Sequence, residues 1–187
     1  MARALLIVDP QIDFISGSLP VPGAGQAMNS LADHIIRNNG RWAIKIVTCD
    51  WHPWNHCSFA DIGGPWPKHC VAHSAGAAIW PALLPALHDT TGATTVLTKG
   101  RSQEQDEYSI FQNQQSGSAL KNIFTSHSIS GVDICGIAGD ICVLSTLEDG
   151  IKLYDGSFFT VLNDFSPSLD GGVKLADFCQ RMGQCTR

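Results

Sequence analysis

Basic residues are scarce in this chain. Lys and Arg together number 12 among 187 residues, against 17 Asp and Glu, for a formal net charge of −5. No run and no helix face concentrates them, which excludes the electrostatic footprint of a nucleic-acid-binding protein. Long apolar runs are missing as well. None approaches the ~20 residues that a membrane-spanning helix needs. The opening MARALLIVDP lacks the features of a signal peptide, because its apolar run is short and meets Asp9 and Pro10 without a small-residue cleavage site. There is no C-x-x-C pair. The seven cysteines are Cys49, Cys57, Cys70, Cys135, Cys142, Cys179 and Cys185. An odd count without a secretory leader argues against a disulfide framework, and the absence of close pairs argues against a four-cysteine zinc site. The expectation is a cytoplasmic protein, with neither membrane nor nucleic acid as partner, whose thiols mostly serve as small buried apolar groups.

What the chain does contain is core material. Hydrophobic residues make up 44% and charged residues 16%, the balance of a compact globular protein. The length fits one domain over residues 1–187. ALLIVD (4–9), AIKIVTCD (43–50), TTVLTKG (94–100), VDICGIAG (132–139) and SFFTVLND (157–164) are short apolar runs closed by polar or glycine residues. Runs apolar on both faces suit a parallel sheet covered on both sides. Helical patterns lie between them at 25–40, 118–130, 140–156 and 170–183, with Ser118 as an N-cap and Met28, Leu31, Ile35 and Ile36 as one apolar face. Alternating strands and helices predict an α/β fold, a doubly wound parallel sheet of five or six strands with helices on both faces. The long irregular stretches, 50–80 and 99–117, are of a length that usually carries function.

Ligands of open α/β sheets sit outside the carboxyl ends of the strands. Asp9, Asp50 and Lys99 each close a strand, and Cys142 follows the fourth strand at a glycine-containing turn into a helix. A thiol in the first turn of a helix feels unsatisfied backbone N–H groups, which favours the thiolate and offers donors to an oxyanion. Asp9 ends a wholly apolar strand, so desolvation raises its pKa and suits it to act as a base. Lys99 holds Asp9 and the sulfur by charge, or else reaches out to solvent.

Six segments together resemble the nicotinamidases of the isochorismatase-like cysteine hydrolases. LLIVDPQIDF is similar to their first-strand motif, CDWHPWNHCSFA to their D-x-H loop and WPKHCV to their W-P-x-H-C segment. TKG, DEYSIF and GIAGDICV are similar to their lysine motif, their flap over the pocket and their nucleophile turn. The six stand in family order over residues 4 to about 150. The resemblance implies a catalytic triad of Asp9, Lys99 and Cys142. It implies a cis peptide before Ala138, with the N–H groups of Ala138 and Cys142 as the oxyanion hole. It further implies that Phe14 and Trp66 sandwich the substrate ring, with Tyr108 in the pocket wall. The activity implied is hydrolysis of nicotinamide, and of pyrazinamide, to the acid and ammonia through a thioester.

The same resemblance implies one divalent transition metal. Asp50 and His52, two apart, point to one side of an extended segment, and His69 comes from the far end of the same loop. A carboxylate with imidazoles suits zinc first, with iron or manganese as alternatives. His56, in the same loop, is a fourth candidate and stays open. A thiolate-rich structural zinc site built on Cys49, Cys57 and Cys70 is the competing arrangement. Two other functions are carried alongside: a cysteine hydrolase of the same fold acting on a carbamoyl or ureido compound, and a non-catalytic module stabilised by metal. The partner expected is a small-molecule substrate, and self-association of the chain is an open expectation. Three segments depart from the family pattern. His73 and Ser74 replace Gly and Thr, Gly139 replaces a common Thr and implies a looser nucleophile turn, and NDFSPSLDGG (163–172) is unlike the usual sequence. A sixth strand, expected after GQCTR (183–187), is short or missing.

Overall fold

The structure is a computed structural model that describes residues 2–183. Five parallel strands form one sheet in the order β3-β2-β1-β4-β5. Strand β1 spans Ala2–Val8 and is followed by the single-turn helix α1, Ile12–Ile15. Helix α2 (Ala24–Arg37) leads to β2 (Ile44–Asp50), and α3 (Leu83–His88) leads to β3 (Ala93–Lys99). Helix α4 (Gln114–Ser126), β4 (Ile129–Gly136), α5 (Leu144–Leu153), β5 (Phe159–Val161) and α6 (Val173–Arg181) complete the order. Among the described residues there is no sixth strand, and Cys185 lies outside them. No helix among them is long and apolar enough to cross a membrane.

Alternation within the strands sorts the core into two halves. Leu5, Ile7, Val47 and Cys135 face α2 and α3, against Met28, Leu31, Ile35, Leu83 and Leu87. Leu6, Ile46, Val132 and Ile134 face α4, α5 and α6, against Leu120, Phe124, Leu147 and Phe178. Each fully buried aliphatic or aromatic side chain contributes about 1.5–3 kcal/mol. Two further buried charges in the strands are satisfied, Asp133 by ion pairs and Lys45 by carbonyl oxygens. Arg3, Arg41 and the Trp42 indole all bond to Asp133. The Lys45 ammonium caps the carbonyls of Thr90, Thr91 and Gly92.

Four details differ from the sequence reading. Strand β3 is an edge, and its Val96 is 48% exposed, so it is not buried on both faces. Ile36 turns outward from α2 at 51% exposure, because the apolar stripe follows Met28, Leu31, Ala32 and Ile35. Helix α4 begins earlier than expected. Asn113, not Ser118, caps it by accepting the Ser116 N–H, 2.9 Å away. The expected helix at 140–156 is in two parts, a π-helical turn over Gly139–Val143 and then α5.

The direction in which successive strands are added to the sheet reverses between β1 and β4. Strands β2 and β3 lie on one side of this pair and β5 on the other. That switch point opens a crevice above the carboxyl ends of the strands, and the crevice is where the candidate residues meet.

Candidate active site and metal centre

Asp9 follows β1 with φ of 47°, a left-handed conformation that turns its carboxylate back over the strand ends. Thr48, two residues before Asp50 on β2, donates its hydroxyl to Asp9 Oδ1 at 2.7 Å. Lys99 Nζ lies 2.9 Å from Asp9 Oδ2, 2.5 Å from Asp50 Oδ1 and 3.7 Å from Cys142 Sγ. It also donates to the Glu107 carbonyl at 3.0 Å. Lys99 and Asp9 are both 0% exposed. The structure therefore brings Asp9, Lys99 and Cys142 together, and one ammonium joins them to Asp50.

Burial opposes the charge on Lys99, but Asp50 and Asp9 outweigh it and raise its pKa well above the ordinary value. Burial raises the Asp9 pKa, and Lys99 offsets only part of that rise. Asp50 is driven the other way, because Lys99 and His52 overcome burial and hold its carboxyl below the ordinary range. For Cys142 burial opposes the effect expected from the helix terminus. Desolvation pushes its thiol well above the ordinary value, despite the attraction of Lys99. Burial thus works against the thiolate that a helix terminus favours.

The turn that carries Cys142 is tightly packed. The Ile137–Ala138 peptide bond is cis, and the Ile141 and Val143 N–H groups both donate to the Ala138 carbonyl at 3.1 Å. A Cβ on Gly139 would stand 2.4 Å from Ser168 Oγ and 2.5 Å from the Ser166 carbonyl. Gly139 N–H donates to Pro167, and Asp140 accepts the N–H groups of Leu169 and Asp170. The looser turn expected from Gly139 is thus corrected. The unusual segment 163–172 occupies the space a threonine would need. Ser74, another departure, accepts the Ala77 N–H and caps a single turn of 3-10 helix.

Asp50, His52 and His69 offer ligand atoms that all lie within 4.8 Å of one another. The His52 Nδ1 lies 2.9 Å from the Gly100 carbonyl and the His69 Nδ1 lies 2.8 Å from the Pro67 carbonyl. Each Nδ1 therefore carries a proton, and the His52 Nε2 lies 3.5 Å from Asp50 Oδ2. Gly100 is indispensable here, because a Cβ on it would strike the His52 ring at 2.4 Å. The His52 Nε2 is buried without a hydrogen-bond partner, although His52 as a whole is only 1% exposed. A buried nitrogen left in this state fits a missing ligand bond. The donor set of one carboxylate and two imidazoles also fits a divalent transition metal with open positions.

His56 stacks on His52 at 4.0 Å between ring centroids. Both of its nitrogens are engaged, Nδ1 with Ser58 Oγ at 2.7 Å and Nε2 with the Gln105 carbonyl at 3.1 Å. Phe59, fully buried, packs against all three imidazoles at 5.6–5.7 Å. Cys49, Cys57 and Cys70 belong to no candidate metal cluster among the described residues, and six cysteines there are free. This removes the thiolate-rich zinc arrangement.

Phe14, Trp66, Tyr108, Ala138 and Cys142 line a single cavity with Asp50 and His69. The Trp66 indole donates to the Tyr108 hydroxyl at 3.0 Å, which joins two of the expected ring-binding aromatics. The sequence reading passed over Gln11, whose amide accepts the Asp50 N–H and donates to the Asp50 and Ala77 carbonyls. It also passed over Thr48, Glu107 and Asp106. Thr48 shared an alternation side with Asp50, a signal that was available.

The sequence profile of the Isochorismatase domain matches residues 3–169. The chain is 32% identical over 179 residues to the nicotinamidase/pyrazinamidase of Mycobacterium tuberculosis, covering 93% of this chain and 91% of that protein. Among solved structures, the pyrazinamidase of Pyrococcus horikoshii in complex with zinc superposes with a TM-score of 0.83 at 28% identity, covering 100% of this chain and 99% of that one. PnC1 from L. infantum in complex with nicotinate also gives a TM-score of 0.83, at 31% identity, covering 100% of this chain and 92% of that one.

Proposed function

The chain belongs to the isochorismatase domain family, and on that premise we propose that it is a metal-dependent nicotinamidase. It hydrolyses nicotinamide, and pyrazinamide, to the carboxylic acid and ammonia through a thioester on Cys142. The observation that carries this reading is the single ammonium of Lys99, which contacts Asp9, Asp50 and Cys142 at once. It brings Asp9, Asp50 and Cys142 into one buried cluster beside an aromatic-lined cavity, which supports reading them as base, metal ligand and nucleophile.

The chain's own residues account for the steps. Asp9 takes the thiol proton as the Cys142 sulfur bonds to the amide carbon. The carbonyl electron pair moves onto oxygen, which the N–H groups of Ala138 and Cys142 hold. Such donors contribute roughly 3–4 kcal/mol each to the transition state. Lys99 steadies the sulfur's charge while it forms, which matters because burial otherwise disfavours that charge. When the C–N bond breaks, Asp9 returns the proton to the leaving nitrogen and ammonia departs. Asp9 next takes a proton from water as the water attacks the thioester, and the released sulfur recovers a proton. Phe14 and Trp66 hold the ring between them. A transition metal on Asp50, His52 and His69 supplies a Lewis-acidic position for the ring nitrogen.

Ammonia release from a small panel tests the assignment. Nicotinamide and pyrazinamide are expected to be turned over, and a chelator is expected to suppress both. Benzamide, which lacks the ring nitrogen, and N-carbamoyl compounds are expected to fall at least about tenfold lower in kcat/KM. A preference for the carbamoyl compounds would transfer the assignment to another cysteine hydrolase of this fold.

The pH profile tests the base. Asp9 works only when ionised, and its pKa is raised from 3.8 by burial. Activity therefore falls as pH falls through that raised value. The acid limb of kcat/KM, measured with metal saturating, is expected above 3.8, the ordinary aspartate value. A limb at or below that value would mean that Lys99 outweighs burial at Asp9.

A further inference from the structure

The stretch between β3 and α4 lines the cavity with Asp106 and Tyr108 and is tied down along its length. The Cys57 N–H donates to the Gln103 carbonyl at 2.8 Å, and the His56 Nε2 meets the Gln105 carbonyl at 3.1 Å. The Glu107 carboxylate accepts the Gly100 N–H at 2.7 Å and the Asn113 amide at 2.9 Å. Asp106 lies between these anchors with much of its bonding capacity unspent. One oxygen accepts the neighbouring Glu107 N–H at 3.0 Å, and the carboxylate faces the Tyr108 hydroxyl. Asp106 lines the cavity together with Asp50 and His69. Its carboxylate, His52 and His56 offer ligand atoms within 4.8 Å of one another.

We propose that Asp106 joins the metal centre from the flap as an additional oxygen ligand, so that a bound metal adds one more anchor to the flap. The proposal rests on the reading of Asp50, His52 and His69 as the metal site. Its warrant is charge and geometry. Asp50 already shares its negative charge with Lys99 at 2.5 Å, so a divalent ion placed there meets little net negative charge. Among the described residues, the carboxylates clustered with these imidazoles are Asp50 and Asp106. The two clusters have His52 in common, while Asp106 is grouped with His56 and not with Asp50 or His69. A ligand role for His56 would also detach the Gln105 carbonyl from its ring, and Asp106, the next residue, would then hold the flap. Through Tyr108 and Trp66 the same carboxylate reaches the wall of the ring-binding cavity.

Zinc titration against a chromogenic chelator separates the possibilities, using the full chain as wild type, Asp106→Asn, Asp106→Ala and Asp50→Ala. Both Asp106 variants are expected to bind zinc at least about tenfold more weakly, with the melting temperature of the metal-free protein unchanged. Hydrogen exchange at residues 101–109 is expected to slow on adding zinc to the wild type and not in the variants. Zinc affinity within twofold of wild type in Asp106→Asn, or zinc-dependent protection retained there, overturns the proposal. Asp50→Ala reports on the underlying reading: if it keeps wild-type zinc affinity, the metal site itself is wrong, whatever Asp106 does.

Discussion

Replacing Cys142 with alanine is expected to lower ammonia release from nicotinamide by at least about 10⁴-fold, because no other group can form the thioester. The fold is expected to tolerate the change. Cys142 is 5% exposed within the half of the core formed with α4, α5 and α6, and losing one sulfur there costs about 1 kcal/mol. Zinc binding is expected to persist, since the Asp50, His52 and His69 cluster does not include the sulfur. Cys142→Ser keeps a hydroxyl at the same place and is expected to lose nearly as much. Its hydroxyl is harder to ionise than a thiol, and burial already works against ionisation here. Turnover of either variant above about one per cent of wild type, with zinc and melting temperature unchanged, would sink the nucleophile assignment.

How much of this was legible beforehand follows from what is local. Asp9, Asp50 and Lys99 each close an apolar strand, and in a parallel sheet all such ends lie on one side, so their convergence could be read from the sequence. The position of β3 at the sheet edge could not, because strand order is decided by crossovers and leaves no mark within TTVLT. The start of α4 was misread because Asn113 and Ser118 are both good caps and the intervening residues are weakly patterned. Gly139 reads as a loosened turn only while its partners are unseen. Ser166 and Ser168, some thirty residues later, fill the space. The Cys142 thiol shows the same limit for electrostatics. Its place after a turn is local, whereas the burial that opposes its ionisation is assembled from the whole fold.

Lys99→Met is expected to be the most damaging single substitution, because it removes one charge and strands two. Asp9 and Asp50 are 0% and 4% exposed, and both face the same ammonium. Breaking a buried ion pair from one side costs about 3–5 kcal/mol, so thermal unfolding should register a large loss along with that of activity. The sign of its pH dependence is fixed. Without the ammonium, the folded-state pKa of both carboxyls rises. A group whose folded pKa is raised contributes stability below its unfolded pKa and loses it as pH climbs through the folded value. The deficit against wild type is therefore expected to be greatest near about pH 7 and to shrink toward about pH 4. Adding Asp9→Asn to Lys99→Met removes one of the two stranded charges. The double variant should then recover stability relative to Lys99→Met alone, with a coupling energy of about 0.5–3 kcal/mol. Equal stability of Lys99→Met and wild type at every pH, with no coupling to Asp9, would mean that this ammonium does not hold the cluster together.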